Sequence, residues 1–285
     1  MGLETFIGQE EVKQRVKLHI YHSVLNNEAL PHILCTGAPG LGKTTLARNI
    51  AKEMCVPFNE LPAGTLTSKR IVEMMGDIFP RSIFFIDEIH GLNVRAGEIM
   101  YSIMQDFKIG NKTIPALTVI GGTTHEGILE KPLRDRFTVR LKFKHYSPNE
   151  IQQMLMLKGI DPNPALAMAK RAQGIPRIAV NTIYTEVIAV ATNNAHISPT
   201  IGDVNIACEM IGIDKNGYSN DDLRILKYLA DKKRSCSLKT IARALDIESI
   251  TLEYVHERWL IKNDMIIITS KGREITEKGL VYIGG

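Results

Sequence analysis

The stretch Gly37-Ala38-Pro39-Gly40-Leu41-Gly42-Lys43-Thr44 decides the fold. It matches the pattern G-x-x-x-x-G-K-[ST] and lies between the apolar run Ile33-Leu34-Cys35-Thr36 and a segment, Lys43 to Met54, whose apolar residues recur at helical spacing. Glycines permit the tight turn and close approach that backbone N–H groups need to converge on a phosphate. The following helix directs its positive end at the same charge. An ordinary glycine-rich turn is the alternative, but motif and context together predict a phosphate-binding loop.

The loop residues have expected roles in binding ATP and Mg²⁺. Lys43 is expected to neutralise the β- and γ-phosphates, and the Thr44 hydroxyl is expected to ligate Mg²⁺. The predicted nucleotide contacts in this segment are Gly37, Pro39, Gly40, Leu41, Gly42, Lys43, Thr44 and Thr45.

A second candidate element is the apolar run Ile83-Phe84-Phe85-Ile86, which ends in Asp87 and Glu88. Asp87 is placed to hold magnesium, directly or through water, and Glu88 to polarise the water that attacks the γ-phosphate. Taken alone, an acidic pair at a strand end is commonly only a polar terminus. Its position downstream of the loop, in the same alternating segment, favours the catalytic interpretation.

Composition excludes several classes of protein. The 285 residues are 44% hydrophobic and 23% charged, which excludes a disordered or fibrous chain, and the formal charge of +4 is too small to indicate nucleic-acid binding by itself. The four cysteines are widely scattered and lack zinc-ligand spacing, which fits a reducing compartment. No long apolar run and no signal peptide are found, so we expect a cytoplasmic protein without a membrane partner. The cysteines are Cys35, Cys55, Cys208 and Cys236.

The pattern of apolar residues predicts three domains. Residues 1–146 alternate short apolar runs with helical stretches, which predicts an α/β domain with a parallel sheet covered by helices. The third such run is Leu117 to Ile120. Residues 147–216 favour a small all-α domain, with Gly212 to Ser219 as a linker. Residues 217–285 favour three helices and a short β-ribbon, the order of a winged helix.

Taken together, these residues resemble the AAA+ ATPases and, within them, the RuvB family of bacterial Holliday-junction branch-migration motors. The resemblance covers nearly the whole chain, and its later motifs are more selective than the loop and the acidic strand end. It is carried by Phe6 to Gln9, Gly37 to Thr45, Phe85 to His90, Gly121 to Thr124, Pro132 to Phe137, Gly174 to Ala179 and the C-terminal winged helix.

The resemblance implies roles for residues outside the two motifs. Thr123 or Thr124 is expected to sense the γ-phosphate, and Arg136 to be an arginine finger that reaches the nucleotide of a neighbouring subunit. Arg177 is expected to be a second sensor. Two adenine contacts are also implied, Ile7 and Tyr146. The alternatives are a surface ion-pair cluster for the arginine, a plain strand end for the threonines and core packing for the tyrosine.

The resemblance also implies an assembly and a nucleic-acid partner. An arginine finger that acts on the nucleotide of the next subunit requires a head-to-tail homo-oligomeric ring, expected to be a hexamer. The resemblance implies that this ring moves branched double-stranded DNA during recombination and repair. Lys271 and Arg273, around a glycine at the tip of the wing, are the predicted DNA contacts, although winged helices also serve as protein-contact modules. Lys232-Lys233-Arg234 is expected to be only a solvated helix end.

One departure from the family concerns Lys108 to Ala116, a much shorter hairpin than these motors carry. The partner RuvA docks on that hairpin in the family, so we expect an adaptor other than a standard RuvA. The alternative function is an AAA+ loader or remodelling switch, similar to clamp loaders or helicase loaders, that acts on a protein at DNA.

Overall fold

The computed structural model describes residues 2–76 and 78–284. They form two compact units, described separately below. The first comprises the residues up to Met154 together with Ile175–Arg177, and the second comprises Leu155–Gly174 and the residues from Ile178 onward. All the predicted nucleotide-site residues belong to the first unit, and the predicted DNA contacts belong to the second.

The first unit contains a parallel five-stranded sheet in the order β2-β3-β6-β1-β7. The inner strands β1, β3 and β6 are almost wholly buried, as expected for a parallel sheet covered on both faces. The outer strands β2 and β7 are only partly buried. Its strands are β1 (Ile33–Thr36), β2 (Phe58–Pro62), β3 (Ile83–Asp87), β6 (Thr118–Thr123) and β7 (Val139–Lys142), and a separate hairpin pairs β4 (Lys108–Ile109) with β5 (Lys112–Thr113).

Helices cover this sheet and complete its core. Phe84 and Phe137 are among its largest fully buried side chains. The helices are α1 (Glu10–Asn26), α2 (Lys43–Met54), α3 (Ser68–Met74), α4 (Val94–Asp106) and α5 (Lys131–Arg134), with short 3-10 turns at Leu3–Thr5, Ala63–Thr65, Ile89–Gly91 and Glu126–Ile128. The boundary between the units falls within α6 (Pro148–Met156). The start of this helix is capped by the Ser147 hydroxyl, which accepts from the Glu150 N–H at 3.3 Å.

Strand β6 differs from the predicted run Leu117 to Ile120, because it starts one residue later and continues to Thr123. The extension contains two glycines, Gly121 and Gly122, at positions where neighbouring side chains leave little space for a Cβ. A Cβ at Gly122 would lie 2.9 Å from Phe85 Cζ and 3.2 Å from an Asp87 oxygen. Glycine therefore lets β6 approach the acidic end of β3 closely.

The second unit begins with helices and ends with a helical module and a two-stranded ribbon. Its first helices are α7 (Pro162–Arg171), a π-helical turn (Ile178–Ile183), α8 (Tyr184–Asn193) and α9 (Ile201–Met210). The C-terminal module contains α10 (Asn220–Lys232), α11 (Leu238–Leu245) and one helical stretch made of α12 (Ser249–Thr251), a π-helical turn (Leu252–Glu257) and α13 (Arg258–Lys262). The ribbon pairs β8 (Ile266–Thr269) with β9 (Gly272–Ile275), and α14 (Glu277–Gly284), which the sequence analysis did not predict, follows it.

The expected linker, Gly212 to Ser219, is a structured turn. Ile213 and Ser219 form an antiparallel bridge. The backbone N–H groups of Asn216 and Tyr218 each donate to an Asp214 carboxylate oxygen at 2.9 Å. Glycine is required at position 217, where φ is 85° and a Cβ would lie 3.1 Å from the Arg171 backbone. The segment predicted as a linker is therefore a turn that local hydrogen bonds hold in place.

Candidate active site

The predicted phosphate loop connects β1 to α2 through three left-handed glycines. Gly37, Gly40 and Gly42 have φ values of 147°, 80° and 93°, which residues with a side chain rarely adopt. Neighbours also crowd the loop, since a Cβ at Gly40 would lie 2.7 Å from Arg177 Cβ. Pro39 is exposed and the Leu41 side chain is buried, so the leucine can contribute only backbone groups to a ligand.

Lys43 is a buried cation at the first position of α2. Its ammonium donates to the Gly37 and Ala38 carbonyl oxygens at 2.8 and 3.1 Å, and among the described residues it forms no ion pair. Burial lowers the pKa of Lys43, whereas the charges of Glu88 and Asp87 act in the opposite direction. A charge removed from water needs a counter-charge. The site is therefore chemically suited to a phosphate group.

The two threonines that follow differ in exposure. Thr44 is half-buried on the first turn of α2, and Thr45 is exposed. Thr44 and Asp87, which ends β3, offer the hydroxyl and carboxylate oxygens that Mg²⁺ prefers. Mg²⁺ is commonly held by one or two carboxylates plus substrate phosphates, so this small donor set fits. Residues 2–76 and 78–284 contain no cluster of three or more His, Cys, Asp or Glu side chains able to bind a metal alone.

Glu88 is held at the end of β3 by groups from β6. It has a left-handed backbone with φ 48°, and its carboxylate accepts from the Thr124 backbone N–H at 3.3 Å and from the Thr124 hydroxyl at 3.2 Å. Its own N–H donates to an Asp87 oxygen at 3.1 Å. The pairing of β3 with β6 thus brings together Asp87, Glu88 and the two predicted sensor threonines.

Two histidines complete this polar cluster. His90 Nδ1 lies 3.3 Å from a Glu88 oxygen and 2.9 Å from the Thr123 hydroxyl, and His125 Nδ1 lies 2.7 Å from the Thr124 hydroxyl. The two rings meet edge to face with centroids 5.3 Å apart. Neither histidine was predicted to have a role in the site. The available signal was their position just after the acidic pair and just after the threonine pair.

Arg136 lies in a concavity that the residues of the phosphate loop do not line. It lines this concavity with His22, Met104 and Thr138, and its guanidinium donates to the Tyr101 hydroxyl at 2.7 Å and stacks 4.7 Å from the centre of that ring. Its Nε is buried and has no hydrogen-bond partner among the described residues. The side chain is thus positioned by Tyr101 and retains unused donor capacity.

Arg177 and Tyr146 both contact the loop. The Arg177 N–H donates to the Gly40 carbonyl at 3.4 Å, its side chain is exposed, and its charge contributes to lowering the pKa of Lys43. The buried Tyr146 hydroxyl donates to the Leu41 carbonyl at 3.1 Å, and burial raises the pKa of this phenol. Tyr146 therefore stabilises the loop through this hydrogen bond. Ile7, the other residue expected at the adenine, is half-buried.

The two predicted DNA contacts on the ribbon have different environments. Lys271 is exposed in the turn between β8 and β9. Arg273 donates through Nε at 2.8 Å and through an Nη at 3.1 Å to the buried carboxylate of Glu257. This bidentate pair fixes the ribbon to the preceding helical stretch and occupies the donors of Arg273. Of the two cations, Lys271 is the accessible one.

The parallel sheet, the phosphate loop and the acidic strand end define an ATP-binding protein of the AAA+ class. Residues 1–143 match the model of the Holliday junction DNA helicase RuvB P-loop domain, and residues 215–284 match that of the RuvB C-terminal winged helix domain. The chain belongs to the RuvB family. The predicted fold class, an α/β P-loop core with a C-terminal winged helix, is confirmed.

Similar proteins match over nearly their whole length. The Holliday junction branch migration complex subunit RuvB of Anaplasma marginale (strain Florida) is 36% identical, over 99% of this chain and 91% of its own. The same subunit of Kosmotoga olearia is 35% identical, over 99% and 88%. The structure of the Thermotoga maritima RuvB Holliday junction branch migration motor superposes with a TM-score of 0.88 at 32% identity, over 99% of this chain and 97% of that one.

Among the described residues, no helix combines the length and the hydropathy that a transmembrane span requires.

Proposed function

We propose that this chain is the ATP-hydrolysing motor that drives branch migration of Holliday junctions in recombination and repair. The observation that carries the proposal is the union of an ATPase site and a winged helix in one chain, matched over 99% of its length by RuvB relatives. The loader or remodelling switch is not favoured, because the match includes the winged helix as well as the ATPase core.

In the proposed site, Lys43 and the loop N–H groups hold the phosphates of ATP, and Thr44 and Asp87 hold Mg²⁺. When bound there, Mg²⁺ would offset the negative charge that the phosphate oxygens carry. The lack of an ion pair at the buried Lys43 ammonium, among the described residues, supports a phosphate as its counter-charge.

Glu88 is proposed to orient and polarise the attacking water. Its carboxylate must face the reacting phosphate. Two hydrogen bonds from Thr124 and a 3.3 Å contact with His90 Nδ1 restrict its rotamers. Arg177, attached to the loop through Gly40, is proposed to add positive charge on the same side as Lys43. A guanidinium suits this role because it is permanently charged and forked.

Arg136 is proposed to complete the site of the next subunit in a head-to-tail ring of six. Its location in a concavity separate from its own phosphate loop supports action in trans.

The hairpin β4–β5 pairs only two residues on each strand, which supports an adaptor different from a standard RuvA. The two boundaries between the three predicted domains, at 146 and 216, and a cytoplasmic location stay predictions.

A synthetic four-way junction tests this function. The unaltered chain should convert the junction continuously to duplex products when ATP and Mg²⁺ are supplied, whereas Lys43→Ala and Glu88→Gln should not. If DNA stimulates ATP hydrolysis but the junction arms do not move, the chain is a switch and the motor proposal is wrong.

A further inference from the structure

A concave surface on the C-terminal module gathers three cations from two separate segments. Lys233 and Arg234 follow α10, and Lys271 is in the ribbon turn. They border a concavity of about 720 Å³, and Leu229 and Ile275 contribute apolar surface to its lining. The sequence gives no reason to combine these residues, since 37 positions separate Arg234 from Lys271.

Backbone geometry explains why the two segments meet. Lys233 ends α10 with φ 50°, a left-handed conformation that turns the chain toward the ribbon. Cys236 and Arg273 then exchange two backbone hydrogen bonds of 3.0 and 2.8 Å. Gly272 makes this contact possible, because a Cβ there would lie 2.4 Å from the Cys236 carbonyl oxygen. The fold therefore fixes Lys271 beside Arg234.

The positive charge of this surface is largely uncompensated. Lys233, Arg234 and Lys271 are exposed, and none forms an ion pair with another described residue. Among the described residues that line the concavity, the one carboxylate is that of Glu274. Its Oε1 already accepts from the hydroxyls of Ser235 and Thr269. By contrast, the neighbouring Arg273 is neutralised by Glu257. The concavity therefore has three cations without an ion-pair partner among the described residues and one carboxylate that is already hydrogen-bonded. This excess of positive charge favours a ligand with several negative charges.

We propose that Lys233, Arg234 and Lys271 form a basic groove that binds backbone phosphates of duplex DNA. The groove enlarges the wing contact predicted at Lys271 by adding the segment after α10, which the sequence analysis expected to be only a solvated helix end. The proposal rests on the proposed function for its choice of DNA as the polyanion. Long cationic side chains reach successive phosphates without reading bases, so the contact is independent of DNA sequence.

The test compares Lys233→Asn/Arg234→Ala with Lys227→Ala in the full chain. Asparagine is used at position 233 because it tolerates the left-handed backbone. Lys227 is an exposed residue of the same helix that does not line the concavity. Affinity for a labelled duplex and for a four-way junction is measured across salt concentrations, with the thermal midpoint of each variant as a folding control.

We expect the double variant to bind several unrelated DNA sequences more weakly and to reduce the slope of log affinity against log salt by about 1 to 2, since each phosphate contact on a duplex contributes about 0.9. Lys227→Ala should keep the slope of the unaltered chain, and Arg234→Lys should keep most of it because the charge remains.

An unchanged slope in a folded double variant overturns the groove, and so does an equal loss in Lys227→Ala, which would reveal a general charge effect. The branch-migration assay separates this inference from the proposed function. If the unaltered chain moves junctions while the double variant keeps the full slope, only the groove is wrong. If the slope falls but the unaltered chain moves no junction, the groove stands and the motor proposal fails.

Discussion

At the scale of single residues, the contacts of Glu88 determine how a catalytic carboxylate is aimed. A flexible glutamate would lose rotamer entropy whenever it had to orient water. Here Thr124 supplies two donors and His90 supplies a third contact, so much of that entropy is already lost in the folded chain. The histidine has a second partner in the Thr123 hydroxyl, which couples the glutamate to both threonines at the end of β6.

His90→Ala should therefore slow ATP hydrolysis without weakening ATP binding. The carboxylate of Glu88 would keep its Thr124 contacts but gain freedom, and we expect kcat to fall about tenfold, less than the loss from removing a general base outright. Steady-state hydrolysis measures kcat and KM separately. His196→Ala, in the segment between α8 and α9, serves as the matched control. Equal kcat values for His90→Ala and the unaltered chain would contradict a positioning role.

The cysteines offer a residue-scale test of burial. Cys35, in the inner strand β1, is fully buried, and burial raises its pKa to about 12. Cys55, at the end of α2, is exposed. Since the thiolate is the reactive form, iodoacetamide at pH 8 should modify Cys55 in the native chain and spare Cys35 until the protein unfolds. Peptide mass spectrometry after brief labelling reads both sites, and early labelling of Cys35 would contradict the fold of β1.

At the scale of elements, the approach of β6 to β3 determines the shape of the catalytic end of the sheet. Gly122→Ala should place a methyl 2.9 Å from Phe85 and 3.2 Å from an Asp87 oxygen, so one strand must shift. We expect a loss of about 1 to 3 kcal/mol of stability from overpacking, with reduced ATP hydrolysis. Denaturant unfolding and steady-state hydrolysis measure the two effects.

Gly127→Ala is the control for that change, since a Cβ at Gly127 meets nothing within 4 Å. It should leave stability and hydrolysis close to those of the unaltered chain. If Gly122→Ala behaved like this control, the close contact between β6 and Asp87 would contribute to neither stability nor ATP hydrolysis.

The elements also explain what the sequence could predict. The inner strands β1 and β3 are apolar runs because both of their faces are buried, and such runs are visible without a structure. The outer strands Phe58–Pro62 and Val139–Lys142 carry polar residues on partly exposed faces, so no apolar run marked them. Helix α2 was predicted with its observed bounds because a motif and helical periodicity coincide there.

The residues of the candidate site also fall into two groups, those that a local motif identifies and those that only the tertiary fold brings together. The phosphate loop is local in sequence, so its residues could be identified from one motif. The contact of His90 with Thr123 joins residues 33 positions apart and depends on the adjacency of β3 and β6. Arg273 was predicted to bind DNA from its place at a turn, but its pairing with Glu257 arises only when the ribbon packs on its helix. Tertiary pairing of this kind leaves no local pattern.

At the scale of the whole molecule, the decisive question is whether one chain can complete its own ATPase site. Arg136 lies on Tyr101 in a concavity that the loop glycines do not line. A guanidinium so placed contributes to catalysis only if a neighbouring copy brings its own nucleotide to it, which requires a head-to-tail contact. ATP hydrolysis per chain should then rise with protein concentration as rings form.

Mixed assemblies test this arrangement directly. Arg136→Ala and Glu88→Gln should each hydrolyse ATP at a small fraction of the rate of the unaltered chain, because one lacks the finger and the other lacks the carboxylate. In a mixture, some interfaces join the intact Glu88 of one variant to the intact Arg136 of the other, so hydrolysis should recover partially and peak near equal proportions. Arg140→Ala, which removes an exposed cation paired with Glu126, should need no rescue. If mixing the two inactive variants restores nothing while both still assemble, Arg136 does not act across a subunit interface.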